Sequence, residues 1–495
     1  MKPRSLTRHA LPLVCALAVG CTFGGVSVDL PPDCRGVIAL TKDATLAADP
    51  CNSLNDGNTT CTRFQCDKDL GKCVKGALDF DRDGEPSIAC GGKDCDDEKP
   101  TRSSVLKETC DGLDNDCNGV ADEDLLKRAQ NASPVGDVTV TAGSVSLSSN
   151  NGKEVYAAYN VAAGCVGVVN LADLAAKPAE CAFGAQTDNA EHPWVRPIGP
   201  RDNRLASVAF TRKDAACAGT NVSRLVFATK QSAGAVNGDC GASLPSLAEF
   251  GSADAAQPVV IGFYGAPAKC GDAPVALRLR WVKTPLTTPD LTSSSQAQLT
   301  LNAVGLRAPS AVALEGTDFV LVAAAADTSV AIWGVRADAS VVPFAANLFS
   351  LAGATSASLA IGKGRLAIAA EIGCAAGNKI VLALAKLDPA GPTIAPADVT
   401  ADVSVLGNNV SQSTVTWIEK RSEWWVTWIA TDTANGKTLF LRRFNEAGAP
   451  AGAAIDLGPA VDAAVRADAY IDASHGVPVG VVTPTSVVNL PVSCQ

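Results

Sequence analysis

A chain of 495 residues with 47% apolar content is too long for one ordinary domain and has ample material for a sizeable core. Aromatics make up only 5% of it, so Ala, Gly and Val carry the apolar fraction, which favours strands and tight turns over large helical cores. The net charge of −10 is not spread evenly, and with no basic patch to offset it the chain is a poor candidate for binding nucleic acid.

Residues 1–20 read as an export signal. Lys2, Arg4 and Arg8 precede the apolar run ALPLVCALAVG, which is too short to span a bilayer as a permanent helix. The run ends in LAVGC, which resembles a bacterial lipobox. The resemblance implies lipidation of Cys21, anchoring in a lipid bilayer, and a place at the outer membrane or cell surface. Residues 21–33 then form a short tether rich in Gly and Pro. Later in the chain, the uncharged stretch 341–362 is broken by Pro, Asn, Ser, Thr and Gly, and reads as strand, loop and strand rather than a membrane span.

Residues 34–75 carry five cysteines among turn-rich filler and read as a small disulfide-bonded stalk. Without Cys15 and Cys21, sixteen cysteines remain, nine up to Cys117 and seven beyond it. If all are bridged, at least one disulfide joins the two regions, with Cys494 expected to pair with Cys34 or another stalk cysteine.

The next segment, 76–125, concentrates the charge. Residues 76–124 hold 15 acids against five bases, a net of −10 that equals the excess of the whole chain. DFDRDG sets Asp79, Asp81, Asp83 and Gly84 at positions 1, 3, 5 and 6 of a calcium loop. DNDCNG repeats this with Asp114, Asp116, Asn118 and Gly119. Alternate acids turn oxygens toward one point, and the glycine allows the chain to turn sharply. Neither loop is an EF-hand, because position 12 is Cys90 in one and Leu125 in the other, and no amphipathic helices flank them. The missing ligands are expected from Asp94, Asp96 and Asp97, and from Asp122 and Glu123. A shell of oxygens favours calcium over copper or zinc.

The run from Asp79 to Asp124 resembles the metal-binding motif of bacterial surface proteins related to the copper-binding protein MopE. That motif reads D-x-D-x-D-G, then C-G-G-x-D-C-D-D, then E-x-C-D-G-x-D-N-D-C-D-G. The present chain keeps nearly all of its acids and its cysteines Cys90, Cys95, Cys110 and Cys117, which the reading assigns to disulfides. It departs at TRSSV, where the family has a Pro-Gly-Ala turn, and at Asn118.

Residues 135–495 repeat a strand–turn–strand pattern, with units starting near 154, 204, 258, 318, 365 and 423 and a weaker one near 469. Short strands at a period near 50 without helical periodicity predict a six- or seven-bladed β-propeller, with tandem β-sandwiches as the alternative. DVTVTAGSVSLSS, at 137–149, is the candidate for closing the ring with the last strands. The fold expected is therefore all-β, a propeller preceded by a small disulfide-rich, calcium-binding module.

Nothing in the sequence has the form of a catalytic motif: G-x-S-x-G, H-E-x-x-H and phosphate-binding loops are all missing. Trp417, Trp424, Trp425 and Trp428 suit either a sugar-stacking surface or, more simply, alternating core positions. The function expected is an envelope lipoprotein with a structural calcium motif and a non-catalytic propeller that binds a protein or glycan. The alternative is a tethered propeller glycoside hydrolase or lyase, whose paired carboxylates sequence cannot identify.

Overall fold

The computed structural model describes, up to Arg128, residues 51, 61–67, 70–77, 79–81, 83–109, 111, 113–122 and 125–128. Beyond that it describes 133–134, 140–150, 154–161, 165–170, 190–198, 205–213, 223–229, 233–240, 243–250, 259–265, 276–283, 290–299, 309–314, 317–326, 329–344, 349, 351–374, 377–388, 393–404, 410–431, 436–459, 477–483 and 486–494. The expected signal, tether and Cys21, together with Cys34, Cys110, Glu123 and Asp124, lie outside these residues, as does the side chain of Cys494. Two compact units form, one up to Leu106 and one from Lys107 to Gln495, so the division falls inside the acidic segment. Among the described residues the helical turns are two short 3₁₀ turns, Ile88–Cys90 and Glu419–Arg421, and no helix is long and apolar enough to cross a membrane.

Among the described residues the first unit contains one antiparallel hairpin, β1 (Thr62–Asp67) with β2 (Lys72–Ala77), turned through Gly71 at φ 64°. Disulfides Cys51–Cys73 and Cys61–Cys90 staple it. The second links the hairpin's first strand region to the acidic segment. With so little apolar material, cross-links have to supply what a core would.

The second unit is a series of antiparallel sheets. The chain enters through two short strands, β3 (Leu126–Arg128) and β4 (Ser133–Pro134). Then follow β5 (Val140–Asn150), β6 (Glu154–Val161) and β7 (Val166–Asn170) as one sheet. β8 (Ala190–Ile198), β9 (Leu205–Lys213), β10 (Ser223–Thr229) and β11 (Ala233–Cys240) make the next. The third has β12 (Ser243–Glu249), β13 (Val259–Gly265), β14 (Ala276–Lys283) and β15 (Asp290–Leu299). The fourth has β16 (Ser310–Ala313), β17 (Phe319–Ala326), β18 (Ser329–Arg336) and β19 (Val341–Pro343). The fifth has β20 (Ala354–Gly362), β21 (Arg365–Cys374), β22 (Gly377–Asp388), β23 (Thr393–Ile394) and β24 (Val399–Asp402). The sixth has β25 (Val410–Ile418), β26 (Glu423–Thr431), β27 (Lys437–Asn445) and β28 (Ile455–Pro459). The last pairs β29 (Val477–Thr483) with β30 (Ser486–Cys494), and β3 and β4 add to the far edge of β30.

Seven meandering sheets, the last completed by the first strands of the unit, define a β-propeller among the described residues. Ring closure uses 126–128 and 133–134. Of the stretch expected to close it, 137–149, the described part from Val140 onward instead belongs to β5, the first strand of the first sheet. The physical reason is side-chain alternation. Val145 to Asn150 pairs continuously with Glu154 to Tyr159, so the short loop between them makes a local hairpin cheaper than a pairing across the ring.

Packing excludes tandem sandwiches, because the sheets are buried on both faces. In β17, Leu321, Ala323 and Ala325 pack with Leu366, Ile368 and Ala370 of β21, while Val320, Val322 and Ala324 pack with Leu277, Leu279 and Trp281 of β14. In β22, Val381, Ala383 and Ala385 face the fourth sheet, and Ile380, Leu382 and Leu384 face Trp424, Val426 and Trp428 of β26. Period-two alternation with apolar residues on both faces is what a radial stack of sheets requires. Small alanines let neighbouring sheets approach closely. Trp424, Trp425 and Trp428 are all buried, so these three are core rather than a sugar platform.

First strands are tied to one another through buried hydroxyls. Val195 donates its N–H to Ser146 Oγ (2.6 Å), Leu359 to Ser310 Oγ (2.9 Å) and Val415 to Ser358 Oγ (3.2 Å). Each bond joins the first strand of one sheet to the first strand of the next. Serine there satisfies an N–H that the sheet's own ladder leaves over.

Candidate metal centre

The two acidic loops adopt one hydrogen-bonding scheme. In the first, Asp79 Oδ2 accepts the N–H of Gly84 (3.0 Å), Asp81 Oδ1 that of Asp83 (3.1 Å) and Asp83 Oδ1 that of Glu85 (2.9 Å). In the second, Asp114 Oδ2 accepts from Gly119 (2.9 Å), Asp116 Oδ1 from Asn118 (3.1 Å) and Asn118 Oδ1 from Val120 (3.0 Å). The sixth-position glycines sit at φ 106° and 94°, where any side chain would be strained. Each loop is thus a chain of Asx turns; the first spends one oxygen per acid on its own backbone, and in the second Asp114 spends both, its Oδ1 also accepting from Asn118 (3.1 Å).

In the first unit the other oxygens converge. Asp79, Asp81 and Asp97 form one group of carboxylates, and Asp81, Asp83 and Asp94 another, with ligand atoms within 4.8 Å of one another. Asp94 is 1% exposed and is pinned from both sides, its C=O accepting from Ile88 (2.9 Å) and its N–H donating to Pro86 (3.2 Å). Gly92 makes this possible, since a Cβ there would lie 1.8 Å from the carbonyl oxygen of Pro86. Asp94 Oδ1 accepts from Asp96 N–H (2.7 Å), and Asp97 Oδ1 from Phe80 N–H (2.8 Å). The Oδ2 atoms of Asp81, Asp83 and Asp94 are buried and have no hydrogen-bond partner. Burial, followed by the charges of Asp83, Asp94 and Asp79, pushes the Asp81 carboxyl up to about 6. Burial, with Asp83, Asp97 and Asp96 nearby, raises that of Asp94 as well. Crowded, desolvated carboxylates of this kind are a cost that a hard cation removes.

Asp96 is placed differently from the other expected ligands. Lys99 Nζ (2.9 Å) and Arg102 (3.1 Å) bind its Oδ2, and these bonds, Lys99 first, hold its carboxyl below the ordinary range. Glu85 turns to the TRSSV departure, accepting from Ser104 N–H (2.7 Å), Ser104 Oγ (2.6 Å) and Ser103 Oγ (3.1 Å). Two serines there fix the loop to an acid.

In the second unit the converging acids are Asp114, Asp116 and Glu108. Glu108 was missed by spacing. Its Oε1 accepts from Asn115 (2.7 Å) and Asp116 (2.9 Å), its Oε2 from Asp122 (2.5 Å), and burial raises its carboxyl. The signal for it was the E-x-C-D-G portion of the motif. Asp122 is placed elsewhere, fully buried at φ 48°. Its Oδ1 accepts from Asp111 N–H (3.1 Å) and its Oδ2 from Arg421 (2.6 Å). Arg443 and Arg421 also bond the carbonyl oxygens of Asp122 and Ala121 at 3.0–3.2 Å. Glu423 completes the set, lying 3.4 Å from Arg421 and 3.3 Å from Arg443 and accepting from the Trp425 indole (2.8 Å). Of the expected cysteines, Cys90 is bonded to Cys61, and Cys95 and Cys117 are each in a disulfide.

Fold and site together define a class: a β-propeller whose chain carries a disulfide-bonded, acidic metal-binding motif. Residues 94–123 match the family model Cu-binding_MopE, described as "Putative metal-binding motif". No curated protein sequence matches the chain. Among solved structures, it is similar to BBS1N, crystallised in complex with ARL6DN, at 10% identity and TM-score 0.43, covering 75% of this chain and 98% of that one. It is also similar to Aleuria aurantia lectin in complex with alpha-methyl-L-fucoside (8%, TM-score 0.37, 65% and 98%). A thermostable family-43 glycoside hydrolase is a third (12%, TM-score 0.33, 67% and 96%).

Proposed function

We propose that the protein is an exported envelope lipoprotein, anchored through Cys21, whose acidic loops hold calcium and whose propeller serves as a non-catalytic binding surface for a protein or glycan. The observation that carries the metal reading is the buried, partnerless Oδ2 of Asp94 beside those of Asp81 and Asp83. Asp79 and Asp97 would complete that shell, and Glu108, Asp114, Asp116 and Asn118 a second. Calcium suits them because every donor is oxygen. The soft and nitrogen ligands copper prefers are scarce: the only Met is Met1, and His192 and His475 stand far from the motif in sequence. The ion's role would be structural, neutralising charge and fixing the loops.

Against the hydrolase reading, the buried glutamates of the described propeller are engaged in the fold. Glu371 accepts from Ser413 N–H (3.1 Å), and Glu423 is held by two arginines and an indole. Calorimetric titration of the full mature chain with calcium, then copper, tests the proposal. Calcium binding with a dissociation constant on the order of 10⁻⁴–10⁻³ M is expected, weakened by Asp94→Asn. Tight copper binding with no calcium heat would refute it.

A further inference from the structure

The second acidic loop is built into the propeller rather than appended to it. Asp122 is the join. Its N–H donates to Glu108 (2.5 Å), the carboxylate that stands with Asp114 and Asp116, while its side chain and carbonyl are held by Arg421, in the turn between β25 and β26, and Arg443 of β27. Four residues later the chain enters β3, the strand that completes the seventh sheet by pairing with β30. The residue that ends the loop therefore ties the ring-closing strand to the neighbouring blade. The four charges, Asp122, Glu423, Arg421 and Arg443, have side chains no more than 4% exposed and sum to zero. A left-handed backbone at a non-glycine residue persists only when its surroundings hold it there, and here the acidic loop holds one side and the arginines the other.

We infer that Asp122 is a latch through which the second loop clasps the propeller ring, so that calcium held by Glu108, Asp114 and Asp116 is read out as stability of the propeller. This rests on the calcium reading above. Without an ion, repulsion among the three acids loosens Glu108, which releases the Asp122 N–H and with it the clasp. The first loop belongs to the other compact unit, so a variant there serves as the comparison.

All seven tryptophans lie between Trp194 and Trp428, so indole emission reports the propeller alone. The experiment is thermal unfolding of the full mature chain by tryptophan fluorescence, with and without saturating calcium, alongside calorimetric titration. Calcium should raise the midpoint by on the order of 2–4 °C. Asp114→Ala should abolish that rise, and Asp79→Ala should keep it. Asp122→Asn should keep the calcium heat and lose the rise. Should Asp122→Asn not fold, Arg421→Lys, which keeps the charge and loses the fork, should cut the rise by at least half. Calcium heat with no rise in the wild type, or a full rise in Asp122→Asn, would overturn the latch alone. No calcium heat would overturn the metal reading and the latch with it.

Discussion

Glu423→Gln is a sharp test of the buried charge set. The substitution preserves volume and leaves an oxygen for the Trp425 indole, so packing and that hydrogen bond survive. What changes is charge: two arginines would then share the Asp122 carboxylate alone, leaving one positive charge uncompensated among side chains no more than 4% exposed. Breaking a buried pair in this way costs about 3–5 kcal/mol, whereas replacing both partners with apolar groups is close to neutral. Glu423→Gln should therefore lower the tryptophan-detected midpoint by roughly 6–10 °C, at about 2 °C per kcal/mol for a unit of this size. Adding Arg443→Met restores neutrality and should recover at least half of the loss. Thermal and guanidinium unfolding of both single variants and the double variant would close the cycle. A loss under about 1 kcal/mol, or strictly additive effects, would show that water screens these charges and would refute the argument.

Other consequences follow from the same geometry. Because the Asp81 carboxyl stands at about 6, calcium must displace a proton below that pH, and the apparent affinity of the first loop should fall about tenfold between pH 7 and pH 5 in calorimetric titrations. The ion-free unit should behave oppositely: a carboxyl raised on folding contributes stability that is complete below its ordinary value and lost as pH rises through about 6, so acidification should make this unit more resistant to protease. Chelation at neutral pH should speed tryptic cleavage at Lys93 and Arg102, measured by mass spectrometry, and excess calcium should restore protection. Ser358→Ala should cost about 1–3 kcal/mol in denaturant unfolding, because it leaves the buried N–H of Val415 without an acceptor; Ser358→Thr, which keeps the hydroxyl, should cost less.

The propeller was legible in its central hairpins and little else. Sequence units starting near 154, 204, 258, 318, 365 and 423 coincide with β6, β9, β13, β17, β21 and β26, the second strand of each sheet. Those strands are apolar on both faces because they lie between neighbouring blades, and the run of valines, leucines and alanines shows it. First strands such as β12 and β16 are short or serine-bearing, with polar groups spent on bonds between blades, so they look like loops. Ring closure was misplaced for a related reason: LKR at 126–128 and SP at 133–134 are too short for any periodic signal, and only the long-range pairing with β30 makes them strands.

At the acidic segment, what could be read was whatever is local. Asx turns depend on residues two to five apart, so spacing alone marks the loops in which Asp79, Asp81 and Asp83, and Asp114, Asp116 and Asn118, bond their own backbones. Acids arriving from further along the chain carry no such mark. Asp94, Asp96 and Asp97 stand in one DCDDE run, yet Asp94 turns inward, Asp96 pairs with Lys99 and Arg102, and Asp97 caps Phe80. The difference is which side of a tight turn each occupies and whether a cation is within reach. Asp122 makes the same point across 299 residues, since its partner Arg421 belongs to a distant turn between β25 and β26. An acidic residue in a dense acidic run reads as a metal ligand by composition. Whether it turns toward other acids, a lysine or a buried arginine is decided by the fold that brings the counter-charge, and in this chain one short segment contains all three arrangements.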